Sequence, residues 1–131
     1  MTPAEVLRKA ADIIERYGHN KGAAYAFPRL RRTKGTTWEQ LIENAVACAP
    51  ASVEGVMGRA IWGKVKRFDS FPMDMDKLAD YVNASTYLLG WLSWNRGITS
   101  LTAWNDDPDT TAETVILLLR KAADDWAEPP F

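Results

Sequence analysis

One histidine and one cysteine in 131 residues are too few to build a tetrahedral zinc site of nitrogen and sulfur ligands. The lone Cys48 has no partner for an internal disulfide, which fits a reducing compartment. Its place late on an apolar helical face reads as a small buried hydrophobe. A Cys48–His19 pair lacks any identifiable third group to orient the base, so His19 reads as a solvated turn residue. No glycine-rich run leads into a helix carrying a lysine, which removes the phosphate-loop and dinucleotide fingerprints. No stretch approaches the ~18 consecutive apolar residues of a membrane span. The first residues, MTPAEVLRKAADII, form an amphipathic pattern rather than a basic stretch with an apolar signal core. These absences predict a cytosolic protein with no metal, no cofactor and no catalytic residues.

Net charge is also nearly absent, at −1, so nothing in bulk draws the chain to nucleic acid or membrane. The charge is unevenly spread. Residues 1–70 hold twelve Lys/Arg against seven Asp/Glu, and residues 71–131 hold four against ten. Two halves that attract one another on packing account for this. A polarised surface with a partner on its basic side is the alternative.

What the chain does hold is helical periodicity. Residues 98–126 carry the clearest pattern: Val115, Leu118, Leu119, Ala122 and Trp126 recur at helical spacing, with Ile116 and Leu117 widening the apolar face. Thr110 and Glu113 have capping-box spacing and predict the start of that helix. A first helix is predicted from about Pro3 to Tyr17, with Thr2 as cap, Glu5 closing the box and Gly18 as the left-handed stop. Thr37 with Gln40 opens a second, which Pro50 ends. A third runs from about Ala51 to Lys66, and its Gly55, Gly58 and Gly63 suggest a central helix approached closely by another backbone. Asp74 caps a fourth, which ends at Asn95-Arg96-Gly97. Five helices with short connections predict an all-α bundle in one domain, with a short hairpin or extended loop at 19–35 as the departure to expect. Arg8-Lys9-Ala10-Ala11-Asp12 recurs as Arg120-Lys121-Ala122-Ala123-Asp124. Convergence of two amphipathic helices explains this, as does a quasi-equivalent pairing of the first and last helices.

Three groups of residues are candidates for function. Six tryptophans are many for this length, and most belong in a core; Trp91, Trp94 and Trp104 lie close enough in sequence to form a protein-interaction patch. Arg29, Arg31, Arg32 and Lys34, with Tyr25 and Phe27 nearby, are the nucleic-acid-like signal, which Lys64, Lys66 and Arg67 would extend. A solvated loop is the simpler reading of the basic run. Asn105, Asp106, Asp107 and Asp109 precede the last helix, where acids suit the helix dipole and Asn/Asp side chains close turns. The full calcium-loop spacing is missing, so Asn105 and Asp106 read as a helix-start motif with Thr110 and Glu113, and a small-ligand or enzymatic pocket beside them is the other reading.

Gly18, Lys21-Gly22-Ala23, Cys48 with Val53-Glu54-Gly55, and Trp104-Asn105-Asp106 with Thr110, Glu113 and Val115 together resemble a family of small bacterial and bacteriophage proteins known as a domain of unknown function. The resemblance covers both ends of the chain and weakens across 28–45. It implies a helical cytosolic protein, phage-encoded in origin, and supplies no reaction. The resulting expectation is an accessory protein that binds a host or phage protein, with nucleic-acid association as the second reading and self-association compatible with both.

Overall fold

The structure, a computed structural model, describes residues 1–22, 34–37, 40, 50–63 and 74–127. Within them are five helices: α1 (Pro3–Tyr17), α2 (Val53–Trp62), α3 (Met75–Arg96), α4 (Leu101–Asp106) and α5 (Ala112–Asp124). Among the described residues there is no strand, and one isolated parallel bridge joins His19 to Ala51. The chain is an all-α bundle. The rest of the helix expected over 37–49, with Cys48, and most of the loop expected at 19–35 lie outside the described residues. The Thr37–Gln40 box is present, with the Gln40 N–H donating to Thr37 Oγ1 and the Thr37 N–H to Gln40 Oε1, both at 3.1 Å. Among the described residues no helix is long and apolar enough to cross a membrane.

The starts follow from short polar side chains that accept from otherwise unpaired first-turn N–H groups. Thr2 accepts from Glu5, Ser52 from Gly55, Asp74 from Asp76 and Lys77, and Ser100 from Ala103. Helices α2 and α3 stop at Gly63 and Gly97, both left-handed, where a Cβ would be strained. The last helix does not begin as expected. Its cap is Thr111, whose Oγ1 accepts from the Thr114 N–H at 3.1 Å, and not Thr110. The Thr110 N–H is already taken by the Asp107 carbonyl at 3.0 Å, and Thr110 is buried in that turn. Glu113 remains as an exposed acid in the first turn. The face of this helix is also narrower than expected, since Leu117 is half exposed.

The core joins Val6, Leu7 and Ile14 of α1, Val53, Val56 and Met57 of α2, Leu88 and Leu92 of α3, and Val115 and Leu119 of α5, all essentially sealed from solvent. Each such side chain contributes roughly 1.5–3 kcal/mol of burial. As its glycines suggested, α2 is central: Gly55 and Gly58 are buried along with its apolar residues. The buried Arg59 guanidinium lies over the Tyr17 ring, 5.7 Å from its centroid.

The repeated Arg-Lys-Ala-Ala-Asp segments meet. Helices α1 and α5 are antiparallel. Arg8 pairs with Asp124 at 3.2 Å, and Arg120 pairs with Asp12 at 3.0 Å. Between these reciprocal ion pairs Ala10, Ala11, Ala122 and Ala123 are buried, so small side chains let the two backbones approach.

Candidate functional site

Asn105 and Asp106 sit in the last turn of α4, a helix that the sequence patterning did not indicate. Asn105 does not start α5. Its side chain reaches instead across the chain to the start of α2 and to residues 19–22. Oδ1 accepts from the Val53 N–H at 3.0 Å, adding an acceptor to the first turn of α2. Nδ2 donates to the Asn20 carbonyl at 3.0 Å and to Asp106 Oδ1 at 2.9 Å. Because Val53 can only donate, the amide oxygen is oriented by the backbone. His19 Nε2, 2.6 Å from the same oxygen, is therefore a donor. His19 is half-buried, not the solvated turn residue that its position suggested.

Asp106 extends this junction to the surface. Its Oδ1 also accepts from the Gly22 N–H at 2.8 Å, and Lys21 Nζ donates to the Asp107 carbonyl at 2.6 Å. The Gly22 N–H, and then the Asn105 amide, hold the Asp106 carboxyl below its ordinary value, with smaller help from His19 and Lys21; slight desolvation opposes them. Both donors and the acceptor of the Asn105 amide are used, and Asn105 is buried. The junction is a clamp joining three chain segments, and a ligand at Asn105 would have to displace those bonds.

An open groove of about 480 Å³ is lined by Glu54, Tyr81, Ser85, Leu89, Ser100 and Thr102 among others, and by none of the clamp residues. Several of its hydroxyls are engaged locally: Ser85 donates to the Tyr81 carbonyl, Ser100 caps α4, and Thr102 donates to Glu54 at 3.0 Å. Among the described residues no group of three His, Cys, Asp or Glu is placed to hold a metal ion.

The structure separates the three tryptophans expected to form a patch. Trp104 is buried in the core and drops out of any surface, because α4 turns its apolar residues Leu101 and Trp104 inward. Trp91 is half-buried, and its indole N–H donates to Asp125 at 2.8 Å. Trp94 is 90% exposed. Nearby, the Tyr87 hydroxyl donates to the Ala122 carbonyl at 2.6 Å and its ring meets Trp126 edge-on at 4.9 Å. Burial, and then Asp125, push the Tyr87 hydroxyl pKa up. Of the basic run, Lys34 is exposed, while Arg29, Arg31 and Arg32 lie outside the described residues, as do Lys64, Lys66 and Arg67.

Trp94 belongs to a surface that is unusual for a solvated helix. From Tyr81 to Asn95 α3 carries no charged residue. Asn83, Thr86, Gly90, Ser93 and Asn95 are exposed alongside Trp94, and Met75 and Val82 are 69% and 49% exposed further down the same helix. Isolated exposed apolar residues are ordinary, but a charge-free helix surface with large apolar side chains is not.

In comparisons with known proteins, the family model described as "Family of unknown function (DUF6197)" matches residues 1–125. No curated protein and no solved structure matches the chain.

Proposed function

The chain belongs to this family of unknown function, and from that premise we propose that it acts by binding another protein through the outer face of α3, with Trp94 as the anchor. The observation that carries this reading is the 90% exposure of Trp94 on a helix without charge between Asp80 and Arg96. Interface cores are depleted in charged residues and enriched in tryptophan, whose large rigid surface is costly to leave in water. Trp91 and Tyr87 behave differently. They are tied to Asp125 and Ala122 and hold α3 against the end of α5, which leaves Trp94 on a rigid support.

The test is a photo-crosslinking amino acid at Ser93, beside the anchor, with and without Trp94→Ala. Circular dichroism should be unchanged by Trp94→Ala, since the side chain makes little contact with its own fold. The adduct recovered with the tryptophan present should be lost or reduced at least tenfold in the alanine variant. An adduct pattern indifferent to Trp94 would end the proposal.

A further inference from the structure

We infer that the groove between α2, α3 and α4 binds a primary ammonium group carried on a short apolar stem. Its described walls include Glu54 of α2, Ser85 and Leu89 of α3, and Leu101 and Thr102 of α4. Trp94 does not line it, so the groove is separate from the protein contact proposed above.

The direction of its hydrogen bonds is the first observation. A hydroxyl has one proton to donate and two lone pairs that accept. Ser85 Oγ lies 2.8 Å from the Tyr81 carbonyl oxygen and 3.2 Å from that of Val82, and both of those can only accept. The Ser85 proton is therefore turned into α3, and its lone pairs are what remain for a ligand. Thr102 Oγ1 donates to Glu54 Oε1 at 3.0 Å, so it too has only lone pairs left. Glu54 Oε2 takes no hydrogen bond and no ion pair among the described residues. Glu54, Ser85 and Thr102 thus give one cavity three acceptors with no proton of their own to offer. The Ser100 hydroxyl accepts from the Ala103 N–H and keeps its proton, while Thr86 and Thr99 can turn either way.

Charge decides among the donors that could fill such a site. Among the described residues lining the groove there is no Lys, Arg or His to balance the half-buried Glu54. An anion would meet a carboxylate and two sets of lone pairs. A neutral alcohol would satisfy the acceptors and leave the carboxylate without a counter-charge. A hard metal ion calls for more oxygen ligands of full charge, and Glu54 is the one acid among the described lining residues. A primary ammonium has three N–H donors and no acceptor, which matches these three groups in number and in sign. Leu89 is half-buried and Leu101 buried, and they give the lining its apolar part, against which a methylene stem packs. A cavity of about 480 Å³ has room for a stem of butyl size.

The test is an NMR titration of the isotope-labelled full chain with butylammonium chloride at constant ionic strength. Saturable shifts should appear at the Glu54, Ser85 and Thr102 amides, with a Kd of about 1–10 mM for so small a ligand. Tetramethylammonium carries the charge without N–H donors and should bind roughly tenfold more weakly or worse, and butyrate should not bind. Glu54→Gln should weaken butylammonium roughly tenfold, and Ser85→Ala severalfold, with circular dichroism unchanged. Nα-acetyl-lysine methylamide presents the same group on a peptide unit. If it binds as tightly as butylammonium or tighter, the natural ligand is a lysine side chain; if more weakly, it is a free amine. Shifts that never saturate, tetramethylammonium binding as well as butylammonium, or a Glu54→Gln variant that binds like the parent overturns the inference. None of these results bears on capture of a protein through Trp94, which stands or falls by its own crosslinking.

Discussion

The seam between α1 and α5 and the outer face of α3 both present small residues, and they come to different ends. In the seam, two copies of Arg-Lys-Ala-Ala-Asp lie antiparallel, and each arginine reaches the aspartate of the other copy. The alanines between them are buried and the two helices are closed on each other. On α3, the small Ala79, Thr86, Gly90 and Ser93 share a face with Met75 and Val82, yet every one of them faces solvent. Small residues are neutral about their destination. What closes the seam is the pair of apolar stripes beneath it, with Leu7 and Ile14 on one side and Leu118 and Leu119 on the other, which must leave water somewhere. The outer face of α3 has no such companion within the described chain, because the buried side of α3, with Ala84, Leu88 and Leu92, already serves the core.

The sharpest way to break the closed side of this comparison is Leu119→Ala. Leu119 is fully buried in the core that α1 and α5 share. Its truncation should cost about 2–5 kcal/mol in urea-induced unfolding, and a loss below ~1 kcal/mol would show that the seam is not where stability resides. Asn105→Ala comes next. It strips acceptors and donors from Val53, Asn20 and His19 at once, and each buried group left unpaired costs roughly 1–3 kcal/mol. Hydrogen exchange should place the damage at the Val53 amide. Gly90→Ala should work in the opposite sense on the open side, raising the stability of the isolated monomer by about 0.5–1 kcal/mol in thermal melts at low protein concentration. A destabilising Gly90→Ala would mean that the chain itself already fills that space.

The helices whose limits depend on local chemistry were legible. Thr2 and Pro3 open α1 as expected, and Gly18 closes it, though at φ 98° and ψ 168° rather than in the left-handed helical conformation expected of it; Asp74 and Gly97 frame α3. The repeated pentapeptide was visible too, though whether its copies touched was open until Arg8 met Asp124. Three features escaped. Helix α4 is only six residues long, shorter than periodicity can register. The cap of α5 moved by one residue because Thr110 and Thr111 are chemically alike, and only the turn at Asp107 distinguishes them. Asn105 was legible as a structural asparagine, but not as the clamp of a segment 85 residues away, since no spacing rule connects it to Asn20 or Val53.

The sequence by itself determined that this chain is helical, where α1 and α3 begin and end, and much of the apolar stripe that each turns inward. Those properties depend on residues within a turn or two of each other. Tertiary structure alone decided which tryptophan is hidden and which is bare, and which glycines are packed and which stand open. Burial is a property of neighbours distant along the chain, and Trp94 and Trp104 differ in nothing but what happens to lie beside them.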